Sequence, residues 1–209
     1  MFEDRHDAGR RLAKKLEHYH GRDAVVLALP RGGVVVGHKI AQTFKIPLDI
    51  ITVRKIGHPN SPEYAICAVD EKGTILCNES EAKLVDRVWL KEEIKRQQKE
   101  ALRRSILYRG ARKPENIHNK IVIIADDGVA TGLSLRLAII AVKTKHPKSI
   151  IVAVPVISEE AAENIREDID ELITLESPSH FLGAVGSHYE IFDQTEDEEV
   201  INLLKSRFM

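Results

Sequence analysis

The sequence predicts an α/β fold, a mostly parallel twisted sheet with helices on both faces. Short, almost wholly apolar runs at residues 24–29, 121–125 and 150–156 read as strands buried on both sides, as the inner strands of a parallel sheet are. The segments between them carry apolar residues at helical spacing, so strand and helix alternate. Such sheets bind ligands at the carboxyl ends of their strands, which directs attention to the loops that follow each run.

Each element has its own warrant. Asp7 is placed to cap a first helix in which Ala8, Leu12 and Leu16 recur every four residues. The strand at 24–29 is broken by Pro30-Arg31-Gly32-Gly33. A helix follows, with Val36, Ile40, Ala41 and Phe44 at helical spacing, and it ends before Pro47. Residues 49–53 are a second strand. Residues 54–62 hold two prolines and read as a loop, while 64–69 and 74–77 pair as a hairpin around 70–73. Residues 81–108 lack internal glycine and proline and predict one long helix. The third strand (121–125) leads through 126–132 into a helix reaching about residue 145. A strand at 150–156, a helix over 158–167 capped by Ser158, a strand at 171–175 and a helix at 196–205 complete the chain. No repeat or low-complexity linker divides it. A single domain over 1–209 is expected, with an insertion at about 56–113 and a small hood at about 176–209.

Composition narrows the function classes. The 209 residues are 43% hydrophobic and 30% charged, enough to bury a core and too apolar for wholesale disorder. A formal charge of −1 argues against a surface that grips nucleic acid or anionic membrane along its whole length. Residues 91–113 carry nine basic and three acidic side chains. Glu92/Arg96 and Glu100/Arg104 fit helical ion pairing, so this run reads as a solvated helix face or, less simply, a nucleic-acid contact. No apolar run approaches the roughly 20 residues of a membrane span, and the charged N-terminus does not read as a signal peptide. Cys67 and Cys77 are too few for a disulfide framework and too isolated for a structural zinc site. A reduced, cytoplasmic domain without membrane association is expected.

The most informative segment is Val122-Ile123-Ile124-Ala125-Asp126-Asp127-Gly128-Val129-Ala130-Thr131-Gly132-Leu133-Ser134. Adjacent carboxylates at a strand end can accept hydrogen bonds from two neighbouring hydroxyls, as on a ribose, or hold a hydrated Mg²⁺. The small-residue turn leaves backbone N–H groups free at a helix N-terminus, a cradle for phosphate. Thr131 and Ser134 add hydroxyl donors. A plain acid-glycine turn, with Thr131 capping the next helix, would read the same way. There is no G-x-x-x-x-G-K-[ST], and residues 31–37 do not fit G-x-G-x-x-G, which weakens ATPase and dinucleotide readings.

Residues 126–134 resemble the ribose-5-phosphate-binding motif of the type I phosphoribosyltransferases: a hydrophobic strand, two acids, three variable residues, Thr-Gly, one residue, then Ser or Thr. Leu29-Pro30-Arg31-Gly32-Gly33 falls where that family has its pyrophosphate loop, and Arg54-Lys55 where several members carry basic residues. Nearly the whole chain, from Asp4-Arg5-His6-Asp7-Ala8-Gly9 to Phe192-Asp193-Gln194, resembles a widespread bacterial and archaeal group of this family.

The resemblance implies 5-phosphoribosyl 1-pyrophosphate (PRPP) as donor, Mg²⁺ as cofactor, and a nitrogenous base or related small acceptor. It assigns Asp126 and Asp127 to the ribose hydroxyls, partly through metal-bound water. It assigns Gly128, Val129, Ala130, Thr131, Gly132, Leu133 and Ser134 to the 5′-phosphate. Arg31, Gly32 and Gly33 would hold pyrophosphate, with Arg54 and Lys55 neutralising its developing charge. Asp126, Asp127, Arg31 and Lys55 form the catalytic set. Catalysis through an oxocarbenium-like transition state would rest on positioning and charge stabilisation. Members that act on 6-oxopurines carry an acid at the position of Ala130, so hypoxanthine or guanine fits this chain less well.

The hood would contact the acceptor. Phe181, Tyr189 and Phe192 could stack on a base or merely seal the hood. Val185-Gly186-Ser187-His188 could meet a base edge, with His188 either a general base or an exposed loop histidine. Residues 56–73, tipped by His58, Asn60, Ser61 and Glu63, are the expected lid over the site. The family is often dimeric, so a homodimer fits. Two other readings compete: a non-catalytic regulator of the same fold that senses the sugar pyrophosphate or a nucleotide, and a Mg²⁺-dependent hydrolase using Asp126 and Asp127.

Overall fold

Five strands pair in parallel in the order β2-β1-β6-β7-β8: β1 (Ala24–Ala28), β2 (Leu48–Ile50), β6 (Ile121–Ala125), β7 (Ser149–Val154) and β8 (Glu171–Thr174). The structure, a computed structural model, describes residues 1–206. Residues 207–209 of the expected hood and the side chains of Glu63 and Pro178 lie outside the described part.

β1 and β6 are buried throughout, and alternate side chains enter different cores. Val26, Ala28, Ile123, Ala125, Ile151 and Ala153 face α1 (Arg5–Lys15), α2 (Gly32–Phe44) and α7 (Asp197–Lys205). Val25, Leu27, Val122, Ile124, Val152 and Val154 face α5 (Leu133–Lys143) and α6 (Glu159–Ile165). The register decides where the loops emerge. Ala28 pairs with Ala125, Ala125 with Ala153, and Leu29 N–H donates to Ala125 O at 2.9 Å. The turns after β1, β6 and β7 therefore leave the sheet side by side.

A second, antiparallel sheet of order β3-β4-β5 comprises β3 (Val53–His58), β4 (Ser61–Asp70) and β5 (Ile75–Cys77). Residues 54–62 are thus strand and tight turn rather than loop. Proline at 59 and 62 masks the pairing because proline cannot donate to a ladder, and the register slips at Gly57, where the Pro62 backbone crowds in. The expected long helix is two: α3 (Glu79–Ala82) and α4 (Arg87–Arg109). Asp86 starts α4 afresh, its carboxylate accepting from Trp89 N–H at 2.8 Å. Arg109 anchors the far end of α4 to the main sheet through Asp49 (3.0 Å), which is itself buried.

Cys67 and Cys77 form a disulfide, against the expectation that both are reduced. The β4–β5 ladder sets them directly opposite one another, with Cα atoms 4.0 Å apart. They look isolated only when their ten-position separation is counted along the chain.

The first helix begins earlier than Asp7 suggests. Asp4 is its cap, accepting from Asp7 N–H at 2.7 Å, while Asp7 sits in the first turn and pairs with Arg11 at 2.7 Å. Ser158 caps α6 as expected, and a single 3₁₀ turn (Arg166–Asp168) continues it. Residues 188–191 pair with the N-terminus: Phe2 N–H donates to His188 O, Glu190 N–H to Phe2 O and Ile191 N–H to Glu3 O. No helix among the described residues is long and apolar enough to cross a membrane.

Candidate active site

A cleft of about 500 Å³ opens at the carboxyl edge of the parallel sheet. Of the residues the sequence singles out, Lys55, Asp126, residues 128–132, Ser134, Val185, Gly186 and Phe192 line it, joined by Ala65, Leu135, Gly183 and Ala184. Its floor is the turn between β6 and α5. Val129 bridges to Ile157, accepting from Ser158 N–H at 2.9 Å, and Ser158 Oγ donates to Ala130 O at 2.5 Å. The turn is thereby pinned to the loop after β7.

α5 enters the cleft with its N-terminus open. Its cap is Gly132, in the left-handed region at φ 76°, with no capping side chain and no acid in the first turn. Thr131 therefore does not cap the helix. The first backbone N–H groups of α5 have no partner within the helix, and together with the helix dipole they favour an anion there. Val129 and Leu133 of the motif are buried in the core, and of the two only Val129 also borders the cleft.

The two acids do different things. Asp126 lines the cleft, and its carboxylate accepts from Asp127 N–H at 2.9 Å. Burial, and then the charge of Asp127, raise its pKa well above the usual carboxylate value. Asp127 turns away and pairs with Arg5 Nε at 2.7 Å. The two carboxylates are thus divided, one toward the cleft and one toward a guanidinium.

The turn after β1 packs against this pair from behind. The Pro30–Arg31 peptide is cis, and Gly32 opens α2. A Cβ on Gly32 would overlap the Asp127 carboxylate and lie 2.6 Å from Arg5 Nε, so a side chain there would have to displace the pair. Arg31 points toward the start of α7, with Asp197 at 3.6 Å and Glu196 at 3.8 Å. Lys55 faces the cleft from β3. Its neighbour Arg54 faces α4, donating to Gln97 at 3.1 Å, and burial followed by the charge of Arg104 lowers its pKa. Lys55 alone of the two lines the cleft, while both border a second pocket beside α4.

The hood differs most from expectation. His188 is 1% exposed, so it is no exposed loop histidine. Its Nε2 accepts from Leu182 N–H at 3.0 Å, which leaves the proton on Nδ1 to donate to Glu176 at 2.5 Å. Both ring nitrogens are engaged in holding the hood together, and none is left for base catalysis. Tyr189 is buried as well. Its hydroxyl donates to Asp127 O at 2.5 Å, and burial raises its pKa, so it supports the acid loop and offers no face to an acceptor. Phe181 stacks on His188 with ring centroids 5.5 Å apart. Phe192 alone of the three hood aromatics lines the cleft.

Arg5 is the site residue that sequence reasoning missed. An arginine in the first turn of an amphipathic helix reads as solvated surface. The only signal for it is its place in the string Asp4-Arg5-His6-Asp7, which belongs to the family resemblance. The basic run on α4 is paired within the chain, through Lys95–Glu92, Arg96–Glu93, Arg103–Glu100 and Arg104–Glu100. Glu100–Arg104 forms at the spacing read off the sequence, whereas Glu92 pairs with Lys95 and Arg96 with Glu93.

Comparison with known proteins bears directly on this cleft. Residues 3–191 match the family model for the phosphoribosyl transferase domain. A Mycobacterium tuberculosis protein named "Putative phosphoribosyl transferase Rv0571c" is 36% identical over 211 residues, covering 98% of this chain; the chain spans about half (46%) of that relative's length. The crystal structure of TT1426 from Thermus thermophilus superposes with a TM-score of 0.78 at 38% identity, covering 98% of this chain and 97% of that one. A family match that runs through both acid and glycine loops, on a fold shared with a solved relative over its full length, settles the assignment: the chain belongs to the phosphoribosyl transferase domain family.

Proposed function

We propose that the cleft binds PRPP with Mg²⁺ and transfers its phosphoribosyl group to a nitrogen of a small acceptor, releasing pyrophosphate. One observation carries the reading. A cleft-facing acid and the uncapped N-terminus of a helix share one turn, so hydroxyl acceptors and phosphate donors stand next to each other.

Each group then has a task. The N–H groups at the start of α5, with the Thr131 and Ser134 hydroxyls, hold the 5′-phosphate. Asp126 accepts a hydrogen bond from one ribose hydroxyl, and the Asp127 oxygen not taken by Arg5 accepts from its neighbour. Arg31 and the amides of Gly32 and Gly33 bind pyrophosphate, and Lys55 meets its charge as the C1–O bond breaks. Phe192 and Val185 border the acceptor. Among the described residues no group of three or more histidine, cysteine or acid side chains could hold a metal. Asp126 and Asp127 are the residues that would hold a Mg²⁺ accompanying the donor, directly or through water. Bound so, the ion would neutralise the leaving pyrophosphate. The nucleophilic nitrogen forms its bond to C1 and gives up a proton. With alanine at position 130 and both ring nitrogens of His188 engaged in the hood, neither position takes that proton, and Asp126, which faces the cleft with a raised pKa, is the acid placed nearest to the reaction.

Calorimetric titration with PRPP and Mg²⁺ tests the donor, and a base-by-base screen for pyrophosphate release tests turnover. Saturable binding that Asp127→Asn weakens is expected. No binding by the wild type, or undiminished binding by the variant, would overturn the reading.

A further inference from the structure

Arg5 reaches three separate segments at once. Its Nε donates to Asp127 Oδ2 at 2.7 Å, its Nη1 donates to Asp193 O at 2.7 Å, and the guanidinium carbon lies 3.8 Å from the centroid of the Phe192 ring. The side chain is 12% exposed. The triangle closes through Tyr189, whose hydroxyl donates to Asp127 O while its ring lies 4.9 Å from Phe192. An acid assigned to the donor and a ring facing the acceptor space are therefore held by one planar group.

We propose that Arg5 is a positioning residue: it fixes the Asp127 carboxylate and the Phe192 ring as one unit, coupling the donor side of the cleft to its acceptor side. The inference rests on the reading of the cleft as a donor site. Three features support it. First, the hood does not need this guanidinium to stay attached, because backbone pairing of Phe2 and Glu3 with residues 188–191 already joins hood and N-terminus. Second, the guanidinium uses both its in-plane donors and its face. A lysine could replace one of these contacts but not three. Third, Gly32 packs directly against the Arg5–Asp127 pair, and a Cβ there would displace it, so the turn after β1 is fitted to the pair as it stands. A shift of Phe192 caused by an arriving acceptor would thus move Arg5, and Arg5 would move the acid on the ribose.

The test uses Arg5→Ala, Arg5→Lys and Phe192→Leu in the full chain, with PRPP and Mg²⁺ as the probe. Arg5→Ala is expected to weaken donor binding at least tenfold, with a melting temperature within a few degrees of wild type. Millimolar guanidinium should restore binding to Arg5→Ala and leave wild type unchanged, a rescue that a merely structural role would not give. Arg5→Lys, which keeps the charge and loses the fork, should also weaken binding; it carries the test if the alanine variant does not fold. Phe192→Leu should weaken donor binding in the wild-type background and do nothing further in Arg5→Ala. Wild-type affinity in both Arg5 variants, or additive effects of Arg5→Ala and Phe192→Leu, would overturn the proposal. Amide exchange separates this outcome from failure of the donor reading. Without any ligand, Arg5→Ala should speed exchange at residues 126–128 and 189–193 together, and unchanged exchange there sinks the coupling whether or not PRPP binds.

Discussion

At Asp126, binding chemistry and stability pull in opposite directions. The side chain faces the cleft with one backbone N–H as its partner and a second carboxylate next door, and burial with that neighbour raises its pKa. The folded state therefore holds the Asp126 proton more tightly than the unfolded chain does. For an acid raised in this way, stability is greatest at low pH and declines as pH climbs from the ordinary carboxylate value through the raised one. Asp126→Asn removes the charge and keeps the shape. It is expected to stabilise the protein at pH 7.5 by roughly 0.5–2 kcal/mol, the range of ordinary stabilising substitutions, and to flatten the decline. The same change should weaken PRPP binding by roughly 10–100-fold, the loss of a charge-assisted hydrogen bond. Denaturant unfolding at pH 6 and 8, beside calorimetric titration, reads both effects. Asp127→Asn should behave differently, because it leaves Arg5 buried without its carboxylate and so costs stability. An Asp126→Asn variant less stable than wild type at pH 7.5 would show that the carboxylate has partners that outweigh its burial. These opposite fates of neighbouring acids cannot be read from the string Asp126-Asp127, because Arg5 and Gly32 come from other parts of the chain.

Among the elements, the strands of the main sheet were legible and the small sheet was not, for one physical reason. A strand covered on both faces must be apolar throughout, and β1, β6 and β7 announce themselves. β3 has one face toward the cleft and the other toward α4, so Arg54, Lys55, Gly57 and His58 sit in a strand that composition reads as loop. The break before α4 was hidden likewise, since residues 83–86 contain neither glycine nor proline and only the cap at Asp86 marks it. The small sheet also carries the disulfide, which ties the three-residue β5 to β4. Closing a ten-residue separation with a covalent bond stabilises by about 2–3 kcal/mol on the loop-entropy account. Cys67→Ser/Cys77→Ser, or wild type with reductant, is expected to melt several degrees lower. Its amide exchange should rise first in β5 and β4 while β6 stays protected. Because Lys55 lies opposite Ala68 in the same sheet, PRPP affinity should also fall in the double variant. Equal exchange in β5 with and without the bond would show that the sheet is held by its packing under α4 alone.

Across the whole molecule, a formal charge of −1 conceals how charge is arranged: cations of α4 pair along their own helix, and acids gather at the start of α7 opposite Arg31. α7 closes the layer over α2 through Val200 and Leu204, and its end rests on His38, whose Nε2 lies 2.8 Å from Ser206 Oγ. His38 belongs to the helix that begins at Gly32, beside the Arg5–Asp127 pair, so its ionisation bears on the packing of site and body together. Burial, then the charges of Lys39 and His6, lower its pKa to about 4. The unfolded chain thus binds this proton more readily than the folded one. Stability present at neutral pH is lost as pH falls from the ordinary histidine value toward 4. The paired acids Glu93, Glu100 and Asp197, held below the usual carboxylate range, lose their contribution only at lower pH. Asp126 works in the opposite sense. The interval from pH 7 to 5 is therefore where His38 should dominate any acid-side loss. Wild type is expected to lose on the order of 1 kcal/mol more than His38→Gln over that interval, read as the shift in denaturant midpoint at constant slope. Should both proteins lose the same amount, α7 would have to be opening to admit water to the imidazole, and faster amide exchange in residues 197–205 at pH 5 would record it.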